Sequence, residues 1–200
     1  MTNLILLAVL SATPYHARVV GISDGDTITC LRDTTQVKVR LWGIDCPESG
    51  QDFGQRAKQA TSDLAFGKTV QVLPRDTDRY GRTVAEVMLL DGRSLNRELV
   101  RQGAAWWYRE YAPADRELER LEIEAKAAKR GFWAQSSPVA PWEWRKGPVL
   151  PAGWVANRSS GLYHRSTCRA ARKMVERNRV MLKTEDEAIR AGYRRAKDCR

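Results

Sequence analysis

Up to Leu89 the apolar positions of this chain recur mostly with the period of a strand. Val37, Val39 and Leu41 alternate with Lys38 and Arg40, the signature of a half-buried strand. Arg18–Ser23 and Thr27–Leu31 are β-rich runs parted by the tight-turn signal Asp24-Gly25-Asp26, and Arg32-Asp33-Thr34 turns the chain into a strand over Thr35–Leu41. Three consecutive strands with short turns predict a meander. The period then changes. Phe53, Ala57, Ala60 and Leu64 fall on one face of a helix, which Gly67 is placed to end. Thr69–Leu73 and Thr83–Leu89 read as two more strands, with a charged loop over Arg75–Arg82 between them. Beyond the Asp91-Gly92 turn, a short helix over Leu95–Gln102 has Ser94 or Asn96 as its cap and Gly103 as its stop. Leu118, Leu121, Ala125 and Ala128 mark a third helix, opening near Asp115 and closing at Gly131. Five short strands and three helices make an α+β arrangement, and a small closed five-stranded barrel removes the sheet edges. Leu99, Leu118 and Leu121 are expected in the core, and Trp106 and Trp107 are expected to pack.

Ser136–Gly153 carries Pro138, Pro141, Pro148 and Pro151 and reads as an extended linker packed through Trp142 and Trp144. The expected division is a signal peptide over 1–17, a barrel domain over 18–136, a Pro/Trp-rich linker over 137–156 and a small basic α/β module over 157–200. A hydrophobic fraction of 42% suffices for a core. The net charge of +10 favours a polyanionic partner. It is unevenly spread: Asn157–Arg200 holds 13 Lys/Arg and 5 Asp/Glu, against 21 and 19 in the residues before it. The apolar run Leu4–Leu10 is too short to span a bilayer. It suits the core of a signal peptide with cleavage near Ala12 or Ala17, although no Lys or Arg precedes Arg18. The expected location is therefore secreted or periplasmic, with a cytoplasmic location as the alternative. The cysteines are Cys30, Cys46, Cys168 and Cys199, an even count that suits two disulfides.

The candidate chemistry centres on Val39-Arg40-Leu41-Trp42-Gly43-Ile44-Asp45-Cys46-Pro47-Glu48. Gly43 lets the strand end bend, and Pro47 fixes its own φ and restricts Cys46. Arg40, Asp45 and Glu48 are thus set on a stiff frame. One guanidinium and two carboxylates so held serve a site that binds a cation and a phosphate. The plainer alternative is a surface strand with ordinary charges.

Four pieces taken together narrow the choice: Asp24-Gly25-Asp26-Thr27, Arg40-x4-Asp45-x-Pro47-Glu48, Asp78-x-Tyr80-Gly81-Arg82 and Leu99-Val100-Arg101-Gln102-Gly103. Their order and spacing resemble the staphylococcal nuclease family over about Arg18–Trp133. The resemblance implies an OB-fold-type barrel, with Asp26, Asp45 and the backbone carbonyl of Cys46 as Ca²⁺ ligands. It implies Arg40, Glu48 and Arg82 as the catalytic residues, and Tyr80, Arg109 and Tyr111 as substrate contacts. Hard oxygen donors with water completing the shell suit Ca²⁺. Two arginines can grip a phosphodiester and stabilise charge developing in the transition state, and a glutamate can orient or deprotonate an attacking water. The implied activity is Ca²⁺-dependent hydrolysis of DNA and RNA, leaving 3′-phosphates, by a monomer that prefers single-stranded substrate and needs no membrane. The alternative is a nucleic-acid-binding module of the same fold without catalysis.

Two positions depart from the family pattern. Cys46 stands where Thr is usual, and a Cys30–Cys46 disulfide would staple the ligand loop. Arg109 stands where a base-stacking aromatic falls, though a guanidinium also stacks on bases. The tail, with Tyr163-His164-x3-Cys168 and a closing Cys199, resembles a small Ada-like metal-binding module. Ala196 replaces the first Cys of its usual final pair, so His164, Cys168 and Cys199 are three ligands where structural Zn²⁺ takes four. A Cys168–Cys199 disulfide is the other expectation, and the basic tail is a candidate grip on phosphates.

Overall fold

A computed structural model describes residues 13–148 and 150–197. Leu4–Leu10 and Ala12 of the expected signal peptide, and Cys199, lie outside these residues. The chain divides into two compact units, one through Pro141 and one from Trp142. No helix among the described residues is long and apolar enough to cross a membrane.

In the first unit, β1 (Tyr15–Asp24), β2 (Thr27–Arg32) and β3 (Thr35–Leu41) form the predicted meander. A two-residue strand β4 (Ile44–Asp45) follows the Trp42-Gly43 turn, and α1 (Gly54–Ala65) crosses to β5 (Thr69–Thr77) and β6 (Thr83–Leu89). Then come α2 (Leu95–Arg101), the short strand β7 (Trp106–Trp107) and α3 (Arg116–Ala127). The five long strands close a barrel in the order β1-β2-β3-β6-β5, with β3 and β6 parallel. The predicted charged loop is shorter than expected, because β5 runs on through Thr77 past a bulge near Pro74. Proline has no N–H to give the ladder, and an irregular register accommodates it. The separate pairing of β4 with β7 was too short to show as a periodic pattern.

Alternation explains the barrel interior. Val19, Ile28, Cys30, Val39, Leu41, Val70, Val72, Ala85 and Val87 are all buried, with Leu95, Leu99, Leu118 and Leu121 closing one end. Burying each Leu of this kind is worth about 1.5–3 kcal/mol. Ser94 caps α2 by accepting from Arg97 N. Asn96, the other candidate cap, is instead buried as a bridge: it accepts from Val87 N at 3.0 Å and donates to the carbonyls of Trp42 at 2.9 Å and Ala85 at 3.2 Å. Asp115 caps α3 through the amides of Glu117 and Leu118. Trp107 is buried with its indole N–H on the Ala112 carbonyl, and Trp106 stacks on Phe132.

The second unit starts in the stretch expected to be an extended linker, where Pro141–Lys146 forms a short helix, α4. Proline suits the first helical turn, which has no N–H to lose, and Trp144 points outward, 46% exposed, rather than packing. Strands β8 (Trp154–Asn157), β9 (Leu162–Arg165), β10 (Arg179–Leu182) and β11 (Arg194–Arg195) form a sheet in the order β10-β8-β9-β11. Helix α5 (Arg169–Lys173) contributes Ala171 to the core around Val155, and α6 (Glu185–Arg190) contributes Ala188 to the core around Tyr163.

Candidate active site

Barrel pairing assembles the site. Thr27 of β2 pairs with Arg40 of β3, and Arg40 lies beside Val84 of β6. Three neighbouring strands therefore deliver Asp26, Arg40 and Arg82 to one end of the barrel. Leu41 N donates to the Asp26 carbonyl at 2.8 Å, which ties the β1–β2 turn to the end of β3. Gly25 in that turn has no room for a side chain, since a Cβ would lie 2.7 Å from Cys46 Cβ and 3.1 Å from Ala57 Cβ. The Thr61 hydroxyl of α1 holds the same turn by donating to the Gly25 carbonyl.

Arg40 is the hub. Its Nη2 lies 3.2 Å from Asp26 Oδ2 and 3.0 Å from Asp45 Oδ1, while Nη1 donates to the carbonyls of Leu41 and Ile44, each at 2.9 Å. Burial works against its charge, but Asp26 and Asp45 outweigh that and raise its pKa. Asp26 also accepts from Cys46 N at 2.6 Å and from the Thr27 hydroxyl at 3.3 Å. Burial, only partly answered by Arg40, raises its carboxyl to about 7. A buried carboxylate left so short of positive charge suits a cation. Asp26 and Asp45 supply hard oxygen donors of the kind that Ca²⁺ takes. The Cys46 thiol does not compete, because burial and then Asp26 push its pKa well above the usual thiol range. Cys30 and Cys46 are both free and buried, so the expected staple between them does not form. Cys30 is a small apolar residue of the barrel interior.

Arg82, the residue before β6, reaches the same place. Its Nε meets Asp78 Oδ2 at 2.7 Å, and its Nη1 lies 3.4 Å from Thr27 Oγ1. Thr27 thus links Arg82 to Asp26. It stands inside the Asp-Gly-Asp-Thr motif, which is the signal by which sequence reasoning could have included it. Asp78 also accepts from the amides of Arg82 at 3.0 Å and Tyr80 at 2.9 Å. Burial is the largest single influence on its carboxyl and raises the pKa, but the bonds from Arg82 and Tyr80 and the Arg82 charge together outweigh it and hold the pKa down.

Glu48 follows buried Pro47 and is half-buried. Its N–H donates to Gln51 Oε1 at 3.2 Å, its carbonyl accepts from Gln51 N at 2.8 Å, and Gln51 Nε2 donates to the Val139 carbonyl. Gln51 therefore ties the glutamate loop to residues beyond the third helix. Phe53, at φ 70°, meets Phe132 edge-on at 5.8 Å and closes the loop.

The expected substrate contacts separate. Tyr80 is 69% exposed, with Arg79 and Arg82 near its ring. Tyr111 is 63% exposed and packs on Tyr108 at 4.8 Å. Arg109 is engaged elsewhere: it stacks on Trp107 at 4.3 Å and pairs at 2.9 Å with Glu122, which is fully buried and also accepts from Trp107 N. Tyr108 was missed. Its N–H donates to the Gly43 carbonyl, and burial, Glu110 and Asp45 raise its pKa, so it borders the carboxylate end of the site. The β4–β7 pairing that brings it there is long-range.

In the second unit His164 Nδ1 and Cys168 Sγ come within 3.8 Å. Cys168 is disulfide-bonded, and its expected partner Cys199 lies outside the described residues. A sulfur in a disulfide is not a thiolate, so these residues do not fit the expected Zn²⁺ site. Among the described residues no group of three His, Cys, Asp or Glu side chains is arranged to hold a metal ion.

Comparison with known proteins agrees with this geometry. The family model described as staphylococcal nuclease homologue matches residues 38–135. An uncharacterized endonuclease of Escherichia coli O157:H7 is 44% identical over 130 residues, 65% of this chain and 84% of that protein. The chain belongs to the staphylococcal nuclease family. An uncharacterized endonuclease of Haemophilus influenzae is 42% identical to this family member over 151 residues, covering 73% of this chain and 84% of the relative. A micrococcal nuclease of Shigella flexneri is 38% identical over 151 residues, covering 71% and 87%. The tail of this nuclease-family chain, residues 152–200, matches the metal binding domain of Ada.

Proposed function

We propose that this chain is a Ca²⁺-dependent nuclease that hydrolyses phosphodiester bonds of DNA and RNA and leaves 3′-phosphates. The observation that carries the reading is the convergence of Asp26, Asp45, Arg40 and Arg82 at one barrel end, with Arg40 within 3.2 Å of both carboxylates. A binding module has no need to bury two carboxylates around a guanidinium. Asp26, Asp45 and the Cys46 carbonyl would hold the ion, which supplies positive charge to a phosphate oxygen. Arg40, on β3, and Arg82, just before β6, are suited to grip the phosphate and to stabilise the charge added when water attacks phosphorus. Glu48 accepts the proton of that water as the bond from phosphorus to the 5′ oxygen breaks. The departing oxygen takes a proton from solvent. Exposed Tyr80 and Tyr111, with half-buried Tyr108 beside Tyr111, offer faces for unstacked bases, which favours single-stranded substrate.

The test is digestion of denatured DNA by purified protein in millimolar Ca²⁺ and in chelator, beside Glu48→Gln. Cleavage that requires Ca²⁺ and collapses in the variant supports the reading, with end-group analysis deciding the 3′-phosphate. Binding without cleavage by folded wild-type protein would make the chain a binding module.

A further inference from the structure

We propose that the C-terminal unit carries its own site for single-stranded nucleic acid, built at one end of its sheet around Trp154, Arg165 and Arg195. Cross-strand register makes the site. Trp154 of β8 pairs with Arg165 of β9, and Tyr163, two residues before Arg165 and on the same face, pairs with Arg195 of β11. The two guanidinium carbons lie 5.0 Å and 5.8 Å from the centre of the indole. Tyr163 is buried and meets that indole edge-on at 5.5 Å, which anchors the ring to the core. Both arginines are exposed, and so are Lys183, beyond the β10 residue that pairs with Trp154, and Lys197, beyond β11. An indole ringed by cations suits a strand whose phosphates meet the cations while a base stacks on or beside the ring.

The acids nearby are largely committed. Glu185 accepts from the Tyr163 hydroxyl at 2.8 Å and lies 3.5 Å from Arg195, holding that arginine at the rim while leaving its side chain 52% exposed. Glu187 is spent on the capping box of α6 and on Lys183 N. The excess of 13 basic over 5 acidic residues in Asn157–Arg200 therefore has a focus rather than being a uniform coat. This site rests on the nuclease reading only in that both take the same polyanion.

The test uses the full chain in chelator, so that binding is read without cleavage and can fail independently of the nuclease reading. The probes are fluorescent 20-mers of oligo-dT and oligo-rU, read by anisotropy across a salt series. Arg165→Gln/Arg195→Gln is expected to weaken both at least tenfold at about 100 mM salt. It should flatten the logarithmic salt slope by about 1.4, at about 0.7 for each phosphate no longer neutralised. Trp154→Leu should weaken binding and Trp154→Phe should restore most of it, which a charge effect alone would not do. The control Arg177→Gln/Arg190→Gln removes the same charge from exposed arginines elsewhere in the unit and should change affinity little. Wild-type affinity and slope in the Arg165/Arg195 variant would overturn the site. Equal losses in the control would overturn it too, leaving diffuse charge. Oligonucleotide binding untouched while binding to anionic lipid vesicles is lost would assign the cluster to a membrane surface instead.

Discussion

Arg40→Ala should unfold more easily as well as cleave more slowly. A surface arginine would show only the second effect. Here one side chain closes two ion pairs and two carbonyl bonds, and the carboxylates it answers are 7% and 1% exposed. Removing one partner of a buried pair leaves charge uncompensated and costs about 3–5 kcal/mol. The pH dependence separates this from a generic packing loss. The Asp26 carboxyl, normally near 3.8, is raised to about 7 in the fold. Its folded pKa is raised, so its contribution to stability is full below 3.8, is lost as pH rises through about 7, and is flat beyond. Without Arg40, whose charge pulls that pKa down, the loss continues above pH 7 by up to about 1.4 kcal/mol per pH unit. The assay is urea unfolding of both proteins in chelator at pH 6 and pH 9. The gap between them should be about 3 kcal/mol or more and wider at pH 9. Equal midpoints at pH 9 would refute the view of Arg40 as the brace of two buried carboxylates.

Arg82→Ala should behave differently: its side chain is 27% exposed and pairs with the partly exposed Asp78, so stability should move by about 1 kcal/mol or less while turnover falls about 10²–10³-fold. Single-turnover kinetics beside a thermal melt check both halves. Gln51→Ala should lower kcat about tenfold or more with KM little changed, because a small misplacement of a catalytic group is costly. Gln51→Glu, which keeps the acceptor for Glu48 N but loses the donor to Val139, should fall between; full activity in both would remove the anchor. Ca²⁺ affinity should decline as pH falls below about 7, since a proton and the cation compete for Asp26, and calorimetry at pH 5.5 and 8 in two buffers should find proton release only at the lower pH. Gly25→Ala should disturb the ligand loop, because the new methyl meets Cys46 Cβ at 2.7 Å; activity unchanged from wild type would show that the turn yields.

The five long strands and three helices of the barrel unit were legible in the order of the residues, and so were the four charged residues that meet at its end. Alternation in Val37–Leu41, the helical spacing from Phe53 to Leu64 and the cap at Asp115 are local physics, and the chain follows them closely; the third helix, however, stops at Ala127, short of Gly131, with Lys129 taking the left-handed turn at φ 51°. The motif order set Asp26, Arg40, Asp45 and Arg82 in one family frame because their spacing is tied to strand ends. What those residues do to one another came only with the folded barrel. That Arg40 pairs with two carboxylates, that Thr27 joins Arg82 to Asp26, and that Asn96 bridges rather than caps all depend on partners distant in the chain. The short β4–β7 pairing that brings Tyr108 near Asp45 is too brief to carry a period. Arg109 and Cys46 show the same limit. The sequence presents one as a stacking cation and the other as half of a disulfide. Burial gives Arg109 a carboxylate to neutralise and leaves Cys46 pressed under Gly25 as a neutral thiol. Local periodicity specifies which face is buried, but not which group shares that burial, and at this site the sharing sets the charge.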